Sequence, residues 1–297
     1  MIDYKLLEAF AMVVQEGGFE KAATLMNLTQ SAVSQRVRLL EDRVGKILLS
    51  RTSPPQPTAA GQQLIKHYLQ VRLLEDGLEE ETSEANDSSP VRLAIGINAD
   101  SLASWFLPAI GALLEDGKVL IDMHVDDQEQ THKLLRDGVV VGCISDMSSP
   151  MQGCKVEYLG SMKYRLLARP DFISKWFPDG FTASFAENAP AVMFNHKDML
   201  HYKILQDVFG NVVKLRAVHY VPSIEKYIQM VRTGYAYGMI PDWQSETLRK
   251  NGEIVEVHER AYDLVKHYWH CWNLESVPLK RLSSRLVREA KTALVSP

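Results

Sequence analysis

Residues 19–41 constrain the fold of this 297-residue chain more than any other segment. Their pattern predicts two short helices, residues 20–26 and 30–41, joined by a tight turn. Asn27 tolerates the left-handed conformation that ends the first helix, and Thr29 is a favourable N-cap for the second. We therefore expect a helix-turn-helix near the start of the chain.

The second predicted helix has two chemically distinct faces. At about 100° per residue, its apolar residues fall on one side and point to the core; they are Val33, Val37 and Leu40. The opposite side carries hydroxyl, amide and guanidinium groups; they are Ser31, Ser34, Gln35 and Arg38. Such groups pair with base edges and phosphates in a major groove, although most polar helix faces are only solvated. The helix is thus a candidate recognition helix.

Charge is distributed unevenly along the chain, whose net charge is −4. Residues 30–66 contain six basic side chains against Glu41 and Asp42, whereas residues 73–87 contain seven acids and no base. A basic module followed by an acidic stretch confines any contact with DNA to the N-terminal part. The predicted DNA-binding residues are Thr29, Gln30, Ser31, Ser34, Gln35, Arg36, Arg38, Arg51 and Thr52.

The segments on either side complete a small N-terminal module. Residues 5–15 have the pattern of an opening helix that Gly17 and Gly18 end, which makes a three-helix core. After the recognition helix, a short apolar run is followed by Arg51, Thr52 and three prolines. This order is typical of a wing, a hairpin that would place Arg51 and Thr52 beside a phosphate strand. The alternative is a plain proline-rich connector.

A long helix follows, with Thr58 as its cap and a predicted end near residue 81. Its apolar residues recur at spacings of four, three, three and four; they are Leu64, Tyr68, Val71, Leu74 and Leu78. An average spacing of 3.5 is that of a helix packed against a partner helix, so we predict a dimerisation arm. The alternative is a core helix of a second domain. Residues 83–90 form the predicted linker.

From residue 91 the pattern changes to alternating strands and helices. Strands are predicted at 91–97, 119–125 and 139–145, and helices at 102–114 and 128–136. A second unit has strands near 165–168, 191–194, 215–219 and 236–240, and a strand at 266–272 and a helix at 278–294 end the chain. This order predicts a parallel α/β architecture. Two lobes with crossings near Tyr164 and Asp263 would leave a cleft between them.

The composition argues against several classes of protein. Cys143, Cys154 and Cys271 are scattered, which favours a reducing cytoplasm and no disulfide framework. Neither a signal peptide nor an apolar stretch long enough to span a membrane is found. Common catalytic and phosphate-binding motifs are missing, so no catalytic residue, cofactor or metal is predicted. His267 and His270 would lie on opposite faces of a strand, which disfavours a shared metal.

The segments FEKAATLMNLTQSAVSQRVRLLEDRVGKILLSRT and PTAAGQQL resemble the N-terminal module of the LysR-type transcriptional regulators. The similarity is dense over residues 2–81, and the α/β remainder resembles the effector-binding domain of that family in size and order. Four further segments, NADSLASWFLPA, VVGCIS, HYWH and RTSPPQPT, resemble the branch that controls arginine and lysine export. The chain departs from that branch at Gln56, where relatives carry arginine, which predicts weaker contacts by the wing.

The resemblance implies a fold and a domain order. The fold is an N-terminal all-α winged helix-turn-helix with a long linker helix, followed by a C-terminal α/β two-lobed domain like the periplasmic binding proteins. The expected domains are residues 1–58, the linker and dimerisation helix with its hinge at 59–90, and the effector-binding domain at 91–297. Lobe I would comprise about 91–164 and 264–297, and lobe II about 165–263.

The resemblance also implies a function. Such proteins are cytoplasmic bacterial regulators that assemble as homo-oligomers, usually dimers of dimers, and bind double-stranded promoter DNA. The effector would be L-arginine or L-lysine, RNA polymerase is a further candidate partner, and no contact with a membrane is expected. Two alternatives stay open, a LysR-type regulator of another small molecule and a small α/β enzyme fused to a DNA-binding module.

Candidate effector-binding residues follow the first predicted strand. Asn98, Asp100 and Ser101 precede a helix, whose first backbone N–H groups favour an amino-acid carboxylate. Ser101 would donate a hydrogen bond to that carboxylate, or else serve only as an N-cap. Asp100 would repel a carboxylate but suits the α-ammonium group of the ligand.

Further candidates follow two other strands. Asp126 and Asp127 come after the second strand, at the sheet edge where α/β proteins bind ligands. They suit a guanidinium or an ε-ammonium group, the alternative being ordinary surface turn residues. In the second lobe Asn195, with His196 and Asp198, would close the cleft from the other side.

Overall fold

A computed structural model of the protein describes residues 2–50, 52–82, 90–126 and 128–295. Arg51, Asp127 and residues 83–89 of the predicted linker lie outside the described residues. The helices are α1 (Tyr4–Gln15), α2 (Phe19–Leu25), α3 (Gln30–Val44), α4 (Ala59–Thr82), α5 (Ala99–Ser101), α6 (Leu107–Leu114), α7 (Gln128–Arg136), α8 (Pro170–Trp176), α9 (Ala183–Asn188), α10 (Leu200–Phe209), α11 (Ile224–Arg232), α12 (Asp242–Lys250) and α13 (Val277–Ala293). The strands are β1 (Val91–Ile97), β2 (Val119–Val125), β3 (Gly142–Ser145), β4 (Cys154–Ala168), β5 (Ala191–Met193), β6 (Val218–Tyr220), β7 (Tyr237–Pro241), β8 (Val255–Glu256) and β9 (Tyr262–Trp272).

Helices α1 to α3 form the predicted helix-turn-helix. The carboxylate of Asp3 caps α1 by accepting a hydrogen bond from the backbone N–H of Lys5 at 3.1 Å. Asn27 has a φ of 52°, the expected left-handed conformation. The hydroxyl of Thr29 caps α3 by accepting from the backbone N–H of Ala32 at 3.2 Å. The predicted inner face of α3 is buried; it consists of Val33, Val37 and Leu40. These caps and burials confirm the prediction for this segment.

The segment after α3 turns back on itself as a short antiparallel hairpin. The backbone N–H of Ser50 donates to the carbonyl of Gln56 at 2.7 Å, and that of Thr58 donates to the carbonyl of Leu48 at 2.8 Å. Glu41, in α3, accepts a hydrogen bond from the backbone N–H of Leu48 at 2.7 Å. The hairpin is therefore held directly against α3.

Helix α4 starts after Thr58, whose hydroxyl accepts from the N–H of Gly61 at 3.2 Å. The apolar stripe predicted for a partner helix is partly used within the chain, because Leu64 and Tyr68 pack into the core of the N-terminal unit. Leu73, which lies outside the stripe, is buried in the α/β core instead. The helix thus packs on both units of its own chain, and the dimerisation arm stays a prediction that now rests on the rest of the stripe.

The α/β part is built on one nine-stranded sheet among the described residues. The strand order is β2-β1-β3-β9-β4-β7-β5-β6, with β8 paired to β4. The long strands β4 and β9 run antiparallel through both lobes and pair over Tyr164 and Asp263, the predicted crossing positions. Strands β1 to β3 belong to lobe I, and β5 to β8 belong to lobe II.

Four features of the α/β part differ from prediction. The sheet is mixed rather than parallel, because β4 and β9 cross between lobes as an antiparallel pair. Strand β4 starts at Cys154, far before the predicted residue 165, since its first half pairs with β9. The first helical segment starts at Ala99 instead of residue 102 and includes a π-helical turn, Leu102–Phe106. Elements α9, α12 and β8 had no predicted counterpart.

None of the helices in the described part of the chain combines the length and the apolar character that crossing a bilayer requires.

Candidate functional sites

The outer face of α3 presents the predicted DNA-binding side chains to solvent. Thr29, Gln30, Ser31, Gln35 and Arg38 are exposed. The remaining two residues of the predicted set on this helix are half-buried; they are Ser34 and Arg36. The hydroxyl groups of Thr29 and Ser31 are 3.0 Å apart and hydrogen-bond each other. Since the Thr29 hydroxyl also caps the helix, Gln30, Gln35 and Arg38 are the groups most available to a base or phosphate.

The hairpin beside α3 carries the second part of the predicted DNA-binding set. Thr52 is exposed at the turn, where its hydroxyl lies 2.8 Å from that of Ser50 and donates to the carbonyl of Pro54 at 2.9 Å. Arg51 lies outside the described residues. The hairpin therefore brings Thr52 to the surface with its hydroxyl hydrogen-bonded within the turn.

A cleft of about 1070 Å³ lies between the two lobes. Lobe I contributes Asn98, Asp100 and Asp126, which follow β1 and β2. Lobe II contributes Asn195 and Asp198, which follow β5. The lobe I residues are expected at the sheet edge where the carboxyl ends of parallel strands meet, and Asn195 and Asp198 are expected to close the cleft from the other side. The cleft is large enough for an amino acid.

Acidic groups outnumber basic groups on the described walls of the cleft. The carboxylates are Asp100, Asp126, Asp146, Asp198 and Asp263. The cations are Lys197, Lys203 and Lys266. Lys203 is already ion-paired with Asp263. Two charges remain in excess on the acidic side, which favours a ligand that carries net positive charge.

Asp100 is the most perturbed of these carboxylates. Burial raises the pKa of its carboxyl to about 6; the phenol of Tyr164, which donates a hydrogen bond to Oδ2 at 2.8 Å, opposes that rise, and the charge of Asp198 adds to it. The sequence indicated Tyr164 only as a crossing position. Its role in holding Asp100 depends on a contact between residues 64 positions apart.

Two of the predicted effector residues are placed differently from expectation. Ser101 is fully buried, and it lies inside the helical segment, so the interpretation of Ser101 as an N-cap is wrong. The described cleft walls do not include Ser101. His196 is exposed and packs against Tyr220 at a tilt of 38°, with ring centroids 3.8 Å apart, and it is not part of the described cleft walls. Asp127 lies outside the described residues.

The two histidines of β9 bind backbone carbonyls rather than a common ligand. A ring nitrogen of His267 lies 2.9 Å from the carbonyl of Val265, and one of His270 lies 2.7 Å from that of Met147. No cluster of metal-binding side chains occurs in the described ranges.

Two family profiles cover most of the chain. The profile described as "Bacterial regulatory helix-turn-helix protein, lysR family" matches residues 4–62, and the "LysR substrate binding domain" profile matches residues 87–290. The first contains the helix-turn-helix, and the second contains the two-lobed α/β unit. The protein therefore belongs to the LysR family of transcriptional regulators.

Individual relatives show which regulators of the LysR family this chain is similar to. The HTH-type transcriptional regulator ArgP of Pseudomonas aeruginosa is 40% identical over 298 residues, which cover 99% of this chain and 98% of the relative. ArgP of Photobacterium profundum is 40% identical over 293 residues, which cover 99% of this chain and 98% of the relative. Because these relatives are named as regulators, the interpretation as a regulator rather than an enzyme is confirmed.

Solved structures of similar proteins have the same architecture. The crystal structure of ArgP from Mycobacterium tuberculosis superposes with a TM-score of 0.89 at 33% identity, covering 100% of both chains. The full-length regulator LysG from Corynebacterium glutamicum, described with bound effector Arg, superposes with a TM-score of 0.79 at 31% identity, covering 99% of both chains. The expected combination of a helix-turn-helix and a two-lobed domain is thus confirmed.

Proposed function

We propose that this regulator senses a basic amino acid, L-arginine or L-lysine, in its interlobe cleft and controls genes of amino-acid export or metabolism. The observation that carries the proposal is the excess of carboxylates on the described cleft walls. A basic amino acid brings one carboxylate and two cationic groups, so its net charge complements that excess. The description of LysG with bound effector Arg supports the same class of ligand for a protein of similar fold.

The ligand is expected to lie across the edge formed by β1 and β2. Its carboxylate would approach the backbone N–H groups where α5 begins, beside Asn98. Its cationic groups would face Asp100 and Asp126, with Asn195 on the opposite lobe. Asp127 and Ser101 were also predicted from the sequence, and both stay candidates for contact with the bound ligand.

The DNA-binding part of the proposal combines α3 and the hairpin. The polar face of α3 would enter the major groove, with Gln35 reading a base edge and Arg36 and Arg38 contacting phosphates or bases. The hairpin would act as a wing whose Arg51 and Thr52 contact the flanking backbone. The exposure of Gln35 and Arg38 and the tie between the hairpin and α3 support this arrangement.

A DNA-binding experiment on the full-length protein tests this proposal. The target would be a duplex selected by the protein from a random pool. Gln35→Ala should weaken binding to the selected duplex by about 1–3 kcal/mol and leave random DNA unaffected, because an amide pairs with one base edge. Arg36→Ala should weaken binding to both and flatten the salt dependence, since a phosphate contact is lost.

The same duplex also tests the effector. Footprints with and without arginine or lysine should differ, whereas glutamine, which has no side-chain charge, should change nothing.

Gln63→Ala, at an exposed glutamine of α4, is the matched control for Gln35→Ala. Equal losses on selected and random DNA for Gln35→Ala would rule out base reading. Footprints insensitive to both basic amino acids would rule out the effector but not the DNA binding.

A further inference from the structure

Two carboxylates from opposite lobes face the same part of the cleft without a basic partner. Asp100 belongs to α5 in lobe I, and Asp198 precedes α10 in lobe II. The two are close enough for the charge of Asp198 to raise the pKa of Asp100. Neither is paired with a lysine or arginine in the described part of the chain. His201, buried beside Asp198, has its pKa lowered by burial to about 4, so it is neutral near pH 7 and does not compensate the charge.

The hydrogen bonds already made by these carboxylates limit what they can bind. Oδ2 of Asp100 accepts from the phenol of Tyr164 at 2.8 Å. In Asp198, Oδ1 accepts from the backbone N–H of Leu200 at 3.0 Å and Oδ2 from that of Phe194 at 3.1 Å. A guanidinium group binds best to two unoccupied oxygens of one carboxylate in a planar fork. Since Oδ2 of Asp100 and both oxygens of Asp198 already accept one hydrogen bond each, a compact ammonium group that needs only one further bond from each carboxylate fits better than a planar fork.

Asn98 supplies a third acceptor at the same place. It is 8% exposed and lines the cleft, and its Oδ1 has no hydrogen-bond partner in the described structure. A buried amide oxygen without a donor destabilises the folded protein, so a ligand N–H at this position would be favoured. An ammonium group has three N–H donors in a tetrahedral arrangement, which matches one acceptor from each of the three side chains.

We propose that Asn98 and Asp100 of lobe I and Asp198 of lobe II together bind the α-ammonium group of the effector. The proposal rests on the proposed function and assigns the ligand group that bridges the lobes. The sequence already suggested Asp100 for this group; the structure adds an acceptor behind it and a carboxylate across the cleft. A ligand held in this way contacts both lobes through its α-ammonium group.

Calorimetric titration of the full-length protein tests the assignment with two ligands. They are L-arginine and 5-guanidinopentanoate, which is arginine without its α-amino group. The parent protein should bind arginine at least about tenfold more tightly, as expected for hydrogen bonds to a charged group. Asp198→Asn and Asn98→Ala should each weaken arginine binding by about tenfold or more and change binding of the analogue by less than about twofold.

Matched controls separate binding from folding. Asp207→Asn removes the same charge from the exposed surface of α10 and should leave both affinities unchanged. Asp198 accepts two backbone hydrogen bonds, so its variant is checked by thermal unfolding. Asn98→Ala removes a side chain that makes no cap hydrogen bond. This variant still tests the assignment if Asp198→Asn does not fold.

Two results would overturn the assignment. One is a parent protein that binds 5-guanidinopentanoate as tightly as arginine. The other is an equal loss of affinity for both ligands in the variants, which would place the three side chains at another part of the ligand. A parent that binds neither arginine nor lysine contradicts the proposed effector itself, and that result is distinct from selective failure of the variants.

Discussion

At the scale of single residues, Asp100 shows how a buried carboxyl in the proposed effector site opposes stability. Its carboxyl has a pKa of about 6 against an ordinary value of 3.8, chiefly because it is buried. The folded protein therefore binds a proton more readily than the unfolded chain between these two values. Stability contributed by this group is lost as the pH rises from about 3.8 to about 6 and is constant above that range. The difference between the two pKa values corresponds to a loss of roughly 3 kcal/mol at most in the free energy of unfolding.

Asp100→Asn should raise the melting temperature of the ligand-free protein near pH 7.5. The amide keeps an oxygen that accepts from Tyr164 and carries no charge that burial would penalise. The variant should also lose part of the decline in stability between about pH 4 and pH 6. Thermal unfolding over this range, with Asp207→Asn as the control, measures both effects. An unchanged pH dependence would show that Asp100 is solvated in the folded protein.

At the scale of elements, helix α7 is attached to α4. Nε2 of Gln62 donates to the carbonyl of Asp137 at 2.8 Å, and Nζ of Lys66 donates to the carbonyl of Arg136 at 3.4 Å. Carbonyls at the end of a helix have no partner within it, so α4 satisfies the C-terminus of α7. Gly138, with a φ of 77°, passes so close that an added Cβ would lie 2.7 Å from Cβ of Lys66.

Two substitutions test this attachment. Gln62→Ala should lower the free energy of unfolding by about 1 kcal/mol, because one partly buried hydrogen bond is lost. Gly138→Ala should lower it further, since the new methyl group combines an unfavourable φ with an overlap on α4. Denaturant unfolding measures both, and Gln63→Ala, at the exposed neighbour, is the control. Equal effects of Gln62→Ala and Gln63→Ala would show that the contact contributes nothing.

At the scale of the whole molecule, the later part of α4 is the candidate interface between copies of the chain. Leu78 is 60% exposed, and Val71 and Leu74 of the same stripe are half-buried. We expect the chain to form a homo-oligomer through this surface, in line with the dimer of dimers that the family resemblance implies. The stripe residues nearer the N-terminus are occupied within the chain, so the expected interface is shorter than the sequence pattern indicated.

Leu78→Asp should lower the molar mass measured by sedimentation at micromolar concentration, because a charge would replace an apolar contact. Gln63→Asp introduces the same charge at an exposed position of α4 outside the stripe and should leave the mass unchanged. A Leu78→Asp protein with the parental mass would show that α4 does not hold the copies together.

The sequence by itself determined the elements that depend on near neighbours. Asn27 and Thr29 lie at the two ends of the turn in the helix-turn-helix. Their roles depend on a backbone conformation and on a hydrogen bond to a residue three positions away, so they were predictable from the sequence. Strands β1 and β2 were predicted with their observed bounds because their apolar patterns are local. The family resemblance added the order of the domains.

Only the tertiary structure decided the features that depend on distant residues. The first half of β4 becomes a strand because it pairs with β9, more than 100 positions later. Ser101 is buried inside its helical segment rather than at the start of it, because the segment begins earlier than the local pattern indicated. Asn98, Asp100 and Asp198 meet only when two lobes fold against each other, and the burial that perturbs Asp100 arises from the same packing. Pairing, burial and electrostatic environment are long-range properties, which a local pattern does not contain.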